Sequence, residues 1–169
     1  FVTTGLIGRP GFAGDADLRA ITSLGHVVGS HSATHPSRLA ALPPEQIGQE
    51  WSESVRRLAE LLGAPVTVAS VPGGSTSETV ERAAAAAGIR TLFTSQPTTR
   101  ARDVDGCAVR GRYAVRAGTS AEEAAALLAG RGQARRRQAL AWEARGWSKR
   151  LLGDAYPRVR RALLRRGRR

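Results

Sequence analysis

Two histidines four residues apart, His31 and His35, stand in the stretch Gly-Ser-His-Ser-Ala-Thr-His-Pro over residues 29–36. Neutral imidazole is a good ligand for zinc and similar divalent ions, and two of them at this spacing converge on one ion if the backbone between them turns. Pro36 pushes His35 away from the α region. The spacing therefore predicts a tight turn, with Ser32 and Thr34 stiffening it through hydrogen bonds to nearby backbone. On the residues alone two readings stand: half of a metal site, or an ordinary polar turn that carries two surface imidazoles. The carboxylates available as a third ligand are Asp15, Asp17, Asp103 and Asp105. The first two open a helix at the far end of the strand that carries the histidines, the other two fall in a segment with no clear pattern, and solvated surface groups are the plainer reading of all four.

The elements that must position this stretch can be read from periodicity. Phe1–Ile7 is apolar and β-branched and runs into the turn cluster Gly8-Arg-Pro-Gly11, as a strand would. Asp15 to Leu24 has helical spacing and stops at Gly25, and His26–Gly29 reads as a short strand. Pro43 and Pro44 open a second helix whose apolar face is Ile47, Trp51, Val55, Leu58 and Leu62, closed by Gly63. Val66–Ala69 is a strand ending in Pro72-Gly-Gly74, Ser77 caps a helix through Ala87, and Ile89–Thr94 is the next strand. Alternation of strand and helix with short linkers predicts a parallel α/β sheet or barrel, in which functional groups gather on the loops after the strands. Both the histidine stretch and Pro72–Gly74 hold that position. From Gln96 to Gly118 only Tyr113 and Val115 suggest a last strand. A helix capped by Thr119 or Ser120 runs through Ala129, and residues 134–166 read as two basic helices broken near Gly153 and Pro157.

Composition bounds the rest. With 41% hydrophobic and 24% charged residues, the 169-residue chain is that of a globular protein. Its net charge is +12, yet 14 basic and 2 acidic residues lie from Arg131 onward, leaving 12 of each sign before it. A neutral body of residues 1–130 thus carries a basic tail, 131–169, suited to an anionic polymer or a membrane surface, with nucleic acid not the expected partner. There is no methionine, and Phe1 enters a strand midway, which leads to the expectation that an N-terminal portion is missing. No run approaches the ~18 apolar residues of a membrane span. Cys107 is the single cysteine and has no partner for a disulfide within the chain. Nothing here fixes a compartment.

Leu24-Gly-His-Val-Val-Gly-Ser-His-Ser-Ala-Thr-His35 closely resembles the second conserved block of the polysaccharide deacetylase family, the NodB-homology domains of carbohydrate esterase family four. That block reads Gly-His-Glu-(Ile/Val)-Gly-(Ser/Asn)-His-(Ser/Thr)-x-x-His. Phe1-Val-Thr-Thr-Gly5 is similar to the preceding strand, Leu42-Pro-Pro-Glu45 to the continuation, Val71-Pro-Gly-Gly74 to the third block, and Ala87-Gly-Ile-Arg90 to the strand entry after it. The resemblance covers roughly residues 1–117. It implies a distorted (β/α) barrel lacking its first strand, a divalent metal held by His31, His35 and an Asp, and hydrolysis of acetyl groups from a polysaccharide. Zinc is the first expectation for this ligand type, with cobalt, manganese and nickel as alternatives. The family's metal Asp and base Asp come from a Thr-Phe-Asp-Asp-Gly block expected upstream of Phe1. Pro72, Gly73 and Gly74 are implied as groove lining, and His26 as structural. Two departures stand out: Ser70 occupies the place of an Arg that orients the base, and no histidine follows His35 to serve as the family's general acid. The resemblance accordingly leaves two functional expectations, an acetyl hydrolase or a catalytically impaired module that binds glycan or acts as a scaffold.

Overall fold

The structure is a computed structural model and describes residues 1–74 and 76–152. Its contacts divide the chain into two compact units, Phe1–Arg112 and Tyr113–Arg169. In the first unit the helices are α1 (Asp15–Ser23), α2 (Pro44–Leu62) and α3 (Glu78–Ala86). Its strands are β1 (Val68–Ser70), β2 (Thr91–Phe93), β3 (Ala101–Val104) and β4 (Cys107–Arg110). They form one sheet in the order β1-β2-β4-β3. β1 pairs with β2 and β2 with β4 in parallel, with Ala69 beside Leu92 and Leu92 beside Val109. Two single parallel bridges, Ser30 to Ala69 and Val2 to Ser30, carry the sheet past β1. The result is a mixed α/β partial barrel wall, the expected class.

The expected strand at Phe1–Ile7 shrinks to the single bridge at Val2, and the one expected at His26–Gly29 is replaced by single bridges one residue later, at Ser30. The first ends early because the chain tightens into a 3₁₀ turn at Thr4–Leu6, where Gly5 N–H turns to Ala33 O at 2.8 Å instead of continuing a ladder. Gly29 is squeezed as well: a Cβ there would lie 2.7 Å from Val68 O and 2.8 Å from the Phe1 ring. The hairpin of β3 and β4 was not foreseen, and the last strand lies there rather than at Tyr113 and Val115, which are not strand residues. Its two-residue turn, Asp105-Gly106, has φ of 51° and 79°, the paired positive values that an Asp-Gly hairpin turn adopts.

α2 organises the interior. Its Ile47 and Trp51 join β1, β2, β4 and α3 in the larger apolar cluster, while Leu58 and Leu61 join Leu18 of α1 and Val66 in a smaller one. Trp51 is fully buried, and its indole N–H donates to Val80 O of α3 at 3.2 Å. Of the face expected from spacing, Val55 and Leu62 are only partly buried; Ser54 and Leu61 take the buried positions. Ser54 is tolerated inside because its hydroxyl meets Ser30 Oγ at 2.7 Å. At the sheet's edge, Glu81 of α3 is 1% exposed and forms a two-bonded ion pair with Arg102 of β3, whose side chain is 51% exposed. That pair ties the hairpin to α3 and raises the Arg102 pKa, chiefly through the Glu81 hydrogen bond. The Cys107 thiol is buried and pushed upward in pKa, mainly by that burial.

In the second unit, α4 (Ala121–Ala129) is capped by Ser120 Oγ, which accepts from Glu123 N–H at 3.1 Å, and it contacts α5 (Ala134–Leu152). Arg135 donates to Leu127 O and Leu128 O at 2.8 and 2.9 Å, placing a cation on the last carbonyls of α4, where the helix dipole favours one. Gln138 both accepts from Ala114 N–H and donates to Ala114 O at 2.9 Å. The second basic helix and its break near Gly153 and Pro157 lie outside the described residues. No helix among those described is long and apolar enough to cross a membrane.

Two substitutions test this framework. Arg102→Met leaves the Glu81 carboxylate buried without its cation and should cost about 2 kcal/mol, less than for a fully buried pair because Arg102 is half in water. Ser54→Ala removes a buried hydroxyl bond and should cost about 1–2 kcal/mol. Urea unfolding reads both as a lowered midpoint at unchanged slope; an unchanged midpoint in either variant contradicts the role given to that residue.

Candidate active site

Ser30 is the last sheet residue before the histidine stretch, bonded through Ser30 N–H to Val68 O at 2.9 Å and through its carbonyl to Ser70 N–H at 2.9 Å. The chain then leaves the sheet. His31 N–H still reaches Val2 O at 2.8 Å, after which Ser32 and His35 adopt left-handed backbone with φ of 64° and 60°. Non-glycine residues hold that conformation at a cost of about 1 kcal/mol or more each, so the surroundings must enforce it. Buried Ser32 accepts from His35 N–H at 3.0 Å, and Ser30 Oγ accepts from Ser32 N–H at 3.2 Å. The tight turn expected from sequence is present, and Ser32 stiffens it as expected. Thr34 acts differently: its N–H donates to the Glu50 carboxylate at 2.9 Å, and its hydroxyl donates to the other oxygen of that carboxylate. Glu50 belongs to α2, and its main-chain carbonyl also accepts from Ala33 N–H at 3.1 Å.

This turn brings the two predicted rings together, with centroids 5.0 Å apart and planes at 60°. His31 is half-buried and His35 exposed. His31 Nδ1 lies 2.7 Å from Ser70 O and 2.8 Å from Ser70 Oγ. A carbonyl only accepts, so the bond assigns the proton to Nδ1 and leaves the Nε2 lone pair directed away from Ser70. Burial lowers the His31 pKa; the Ser70 carbonyl works against this, and the nearby charges of His35 and Arg112 add to it. The neutral ring, the form that ligates metals, is thereby favoured.

A divalent ion would find in this patch two imidazoles, one of them held by its second nitrogen as metal-ligating histidines usually are. The pair fits as part of a donor set. Among the described residues no group of three or more His, Cys, Asp and Glu side chains forms. The four candidate carboxylates are placed elsewhere: Asp15 pairs with Arg57 at 3.1 Å, Asp17 accepts from Gly14 N–H at 2.7 Å, and Asp103 accepts from Gly106 N–H at 3.0 Å. Asp105 sits in the β3–β4 turn, and His26 is exposed.

Pro72–Gly74 follows β1 as a short 3₁₀ turn kinked at Gly73. Pro72 and Gly74 are buried and Gly73 is exposed. Gly74 has φ of 70°, and a Cβ on it would strike Ser95 Oγ at 1.9 Å, so its lack of a side chain is used to pack against the loop after β2. A Cβ on Gly73 would lie 3.7 Å from Ser37 O, which places this turn beside the chain just past His35. The histidine turn and the Pro-Gly-Gly turn are thus neighbours. A cleft of about 560 Å³ lies elsewhere, between the start of α3 and the hairpin, lined by Ser77, Glu81, Arg102 and Asp105 among others; neither His31 nor His35 lines it.

Sequence reasoning missed two contributors. Ser70 was read only as a departure from a pattern, although it orients His31. Glu50 was not singled out; its signal is its place one turn before buried Ser54 and three residues after buried Ile47, at the margin of the apolar face of α2.

The polysaccharide deacetylase family model matches residues 1–92. No curated protein sequence matches the chain. Among solved structures, the chain is similar to a polysaccharide deacetylase from Bacillus cereus, with TM-score 0.68 and 18% identity over 76% of this chain and 40% of that one. It is also similar to a Streptococcus pyogenes deacetylase in complex with acetate, at TM-score 0.60 and 21% identity over 72% and 54% of the two chains. IcaB from Ammonifex degensii matches at TM-score 0.58 and 23% identity, over 70% and 56%. At these identities the structures show a shared fold, and the chain spans between 40% and 56% of the length of those three. Since the family match covers more than half of the sequence and includes the histidine turn, the Pro-Gly-Gly turn and the strands that carry them, the chain belongs to the polysaccharide deacetylase family.

Proposed function

We propose that this protein is a metal-dependent hydrolase that removes acetyl groups, N- or O-linked, from a polysaccharide. The observation that carries the reading is the His31 and His35 pair, 5.0 Å apart between ring centroids, with His31 Nδ1 committed to Ser70. His31 and His35 would hold a divalent ion, zinc first by ligand type, and that ion when bound supplies Lewis-acid polarisation of an acyl carbonyl and a more acidic water. The chain's own residues supply the rest. Ser70 fixes the tautomer and plane of His31, and burial lowers its pKa, which favours the neutral form that ligates. Exposed Gly73, beside the segment that follows His35, offers backbone with no side chain in the way of an approaching sugar.

A second reading rests on the donor count: no third His, Cys, Asp or Glu joins the pair among the described residues, and no histidine follows His35 in the sequence. On that reading the domain binds glycan without turning it over. One set of measurements separates the two. The full-length protein should bind zinc, release acetate from acetylated chitooligosaccharide or acetylated xylan, and lose that activity on chelation and regain it on adding zinc or cobalt. His31→Ala and His35→Ala should each lower zinc affinity and acetate release at least about 100-fold. Turnover that persists in His31→Ala overturns the metal-dependent reading; saturable glycan binding by a protein that releases no acetate establishes the second one.

A further inference from the structure

Beyond the two imidazoles, we infer that Glu50 is a positioning residue for the metal-binding turn, holding His35 in place from the adjacent helix α2. The inference rests on His31 and His35 being the metal pair, and it adds the part of the chain that sets their separation. Three hydrogen bonds run from the turn to this one residue. The Glu50 carboxylate accepts both the N–H and the hydroxyl of Thr34, and its main-chain carbonyl accepts Ala33 N–H. Thr34 is the residue immediately before His35, and the left-handed residues Ser32 and His35 stand on either side of the clamped segment.

The geometry makes the carboxylate hard to replace. A carboxylate accepts on both oxygens at once, so it can satisfy a main-chain and a side-chain donor of the same residue and fix that residue's orientation about two axes. Ser32, the other restraint on His35, bonds only its N–H and lies within the turn itself. Glu50 is therefore the side-chain restraint that refers Thr34, and through it His35, to a rigid element outside the turn. Because α2 is anchored in the core by Ile47 and Trp51 on either side of Glu50, the position of His35 relative to His31 is tied to the packing of that helix. A ligand pair held in this way meets the ion already assembled, which raises affinity without adding a ligand.

The test uses the full-length protein, with Zn²⁺ and Co²⁺ alone as probes. Glu50→Ala should weaken zinc binding by about 10- to 100-fold, the usual range for loss of a group that orients a ligand. It should also change the visible spectrum of the cobalt-loaded protein. Glu50→Gln, which keeps one acceptor oxygen, should recover part of the loss, and Thr34→Val, which removes only the hydroxyl donor, should show a smaller loss. In the metal-free protein the Thr34 amide should exchange slowly with solvent, and it should exchange faster in Glu50→Ala. Zinc affinity of Glu50→Ala within twofold of the parent, while His31→Ala abolishes binding, overturns the positioning role and leaves the metal pair standing. Equal zinc affinity in the parent and His31→Ala overturns the metal reading and this role with it, and the Thr34 exchange rate then shows whether the clamp itself exists. If Glu50→Ala does not fold, Glu50→Gln and Thr34→Val carry the same comparison.

Discussion

The candidate site depends on one constraint: a turn with two non-glycine residues in left-handed backbone has to be held open against its own preference for relaxing. The sheet alone does not supply that force, since it contributes single bridges at Val2 and Ser30 on this side of β1. α2 supplies much of it, through Ser54 beneath Ser30 and Glu50 beside Thr34, two positions one helical turn apart. The buried face of the same helix, from Ile47 to Leu61, contributes to both apolar clusters. Core packing and site geometry are therefore one problem here, because a helix docked by hydrophobic burial is also the template for a polar turn.

The electrostatics of His31 follow from the same arrangement. Burial disfavours its cation, and the Ser70 carbonyl, which partly counters that effect, also decides which nitrogen is left with a lone pair. The serine hydroxyl at 2.8 Å adds a second polar atom on that side of the ring. Ser70 is small enough to sit almost wholly buried at the end of β1 and still face the imidazole. The guanidinium of Arg112 also disfavours the His31 cation, as the smallest of the effects on that ring; it donates to Thr94 O at 2.9 Å, and burial lowers its pKa.

Much of this was legible in the sequence. Proline at the start of α2, serine before α3 and α4, and glycine after the helices marked helix limits to within a residue or two, because capping chemistry is local. The histidine block was legible for the same reason, as was the turn that Ser32 stiffens. What escaped was set by partners distant in sequence. Glu50 and Thr34 meet only because α2 packs against the turn, and Ser54 sits inside only because Ser30 is opposite. Phe1–Ile7 is β-rich by propensity, but Gly5 is drawn to Ala33 and the strand stops. The hairpin at Asp105-Gly106 was within reach of a local reading; its flanking strands, one exposed and charged, masked an otherwise strong turn signal.

That hairpin has a bearing on how the molecule assembles. Asp103 pairs with Ala108 across a two-residue turn, whereas β1 pairs with β2, and β2 with β4, only after the chain between them has closed a loop through a helix or the hairpin. Local antiparallel pairs form in about 1–10 μs, and pairings between distant segments are slower because loop closure precedes any compensating contact. β3 and β4 can thus meet early as an isolated ribbon, yet β4 gains its other neighbour only when Thr91–Phe93 arrives. Until then one side of β4 presents unpaired N–H and C=O groups, the kind of edge that recruits strands from other chains. In the folded protein that side of β4 is covered by β2, and Arg102 on the neighbouring strand fastens the ribbon to α3 through the buried carboxylate of Glu81.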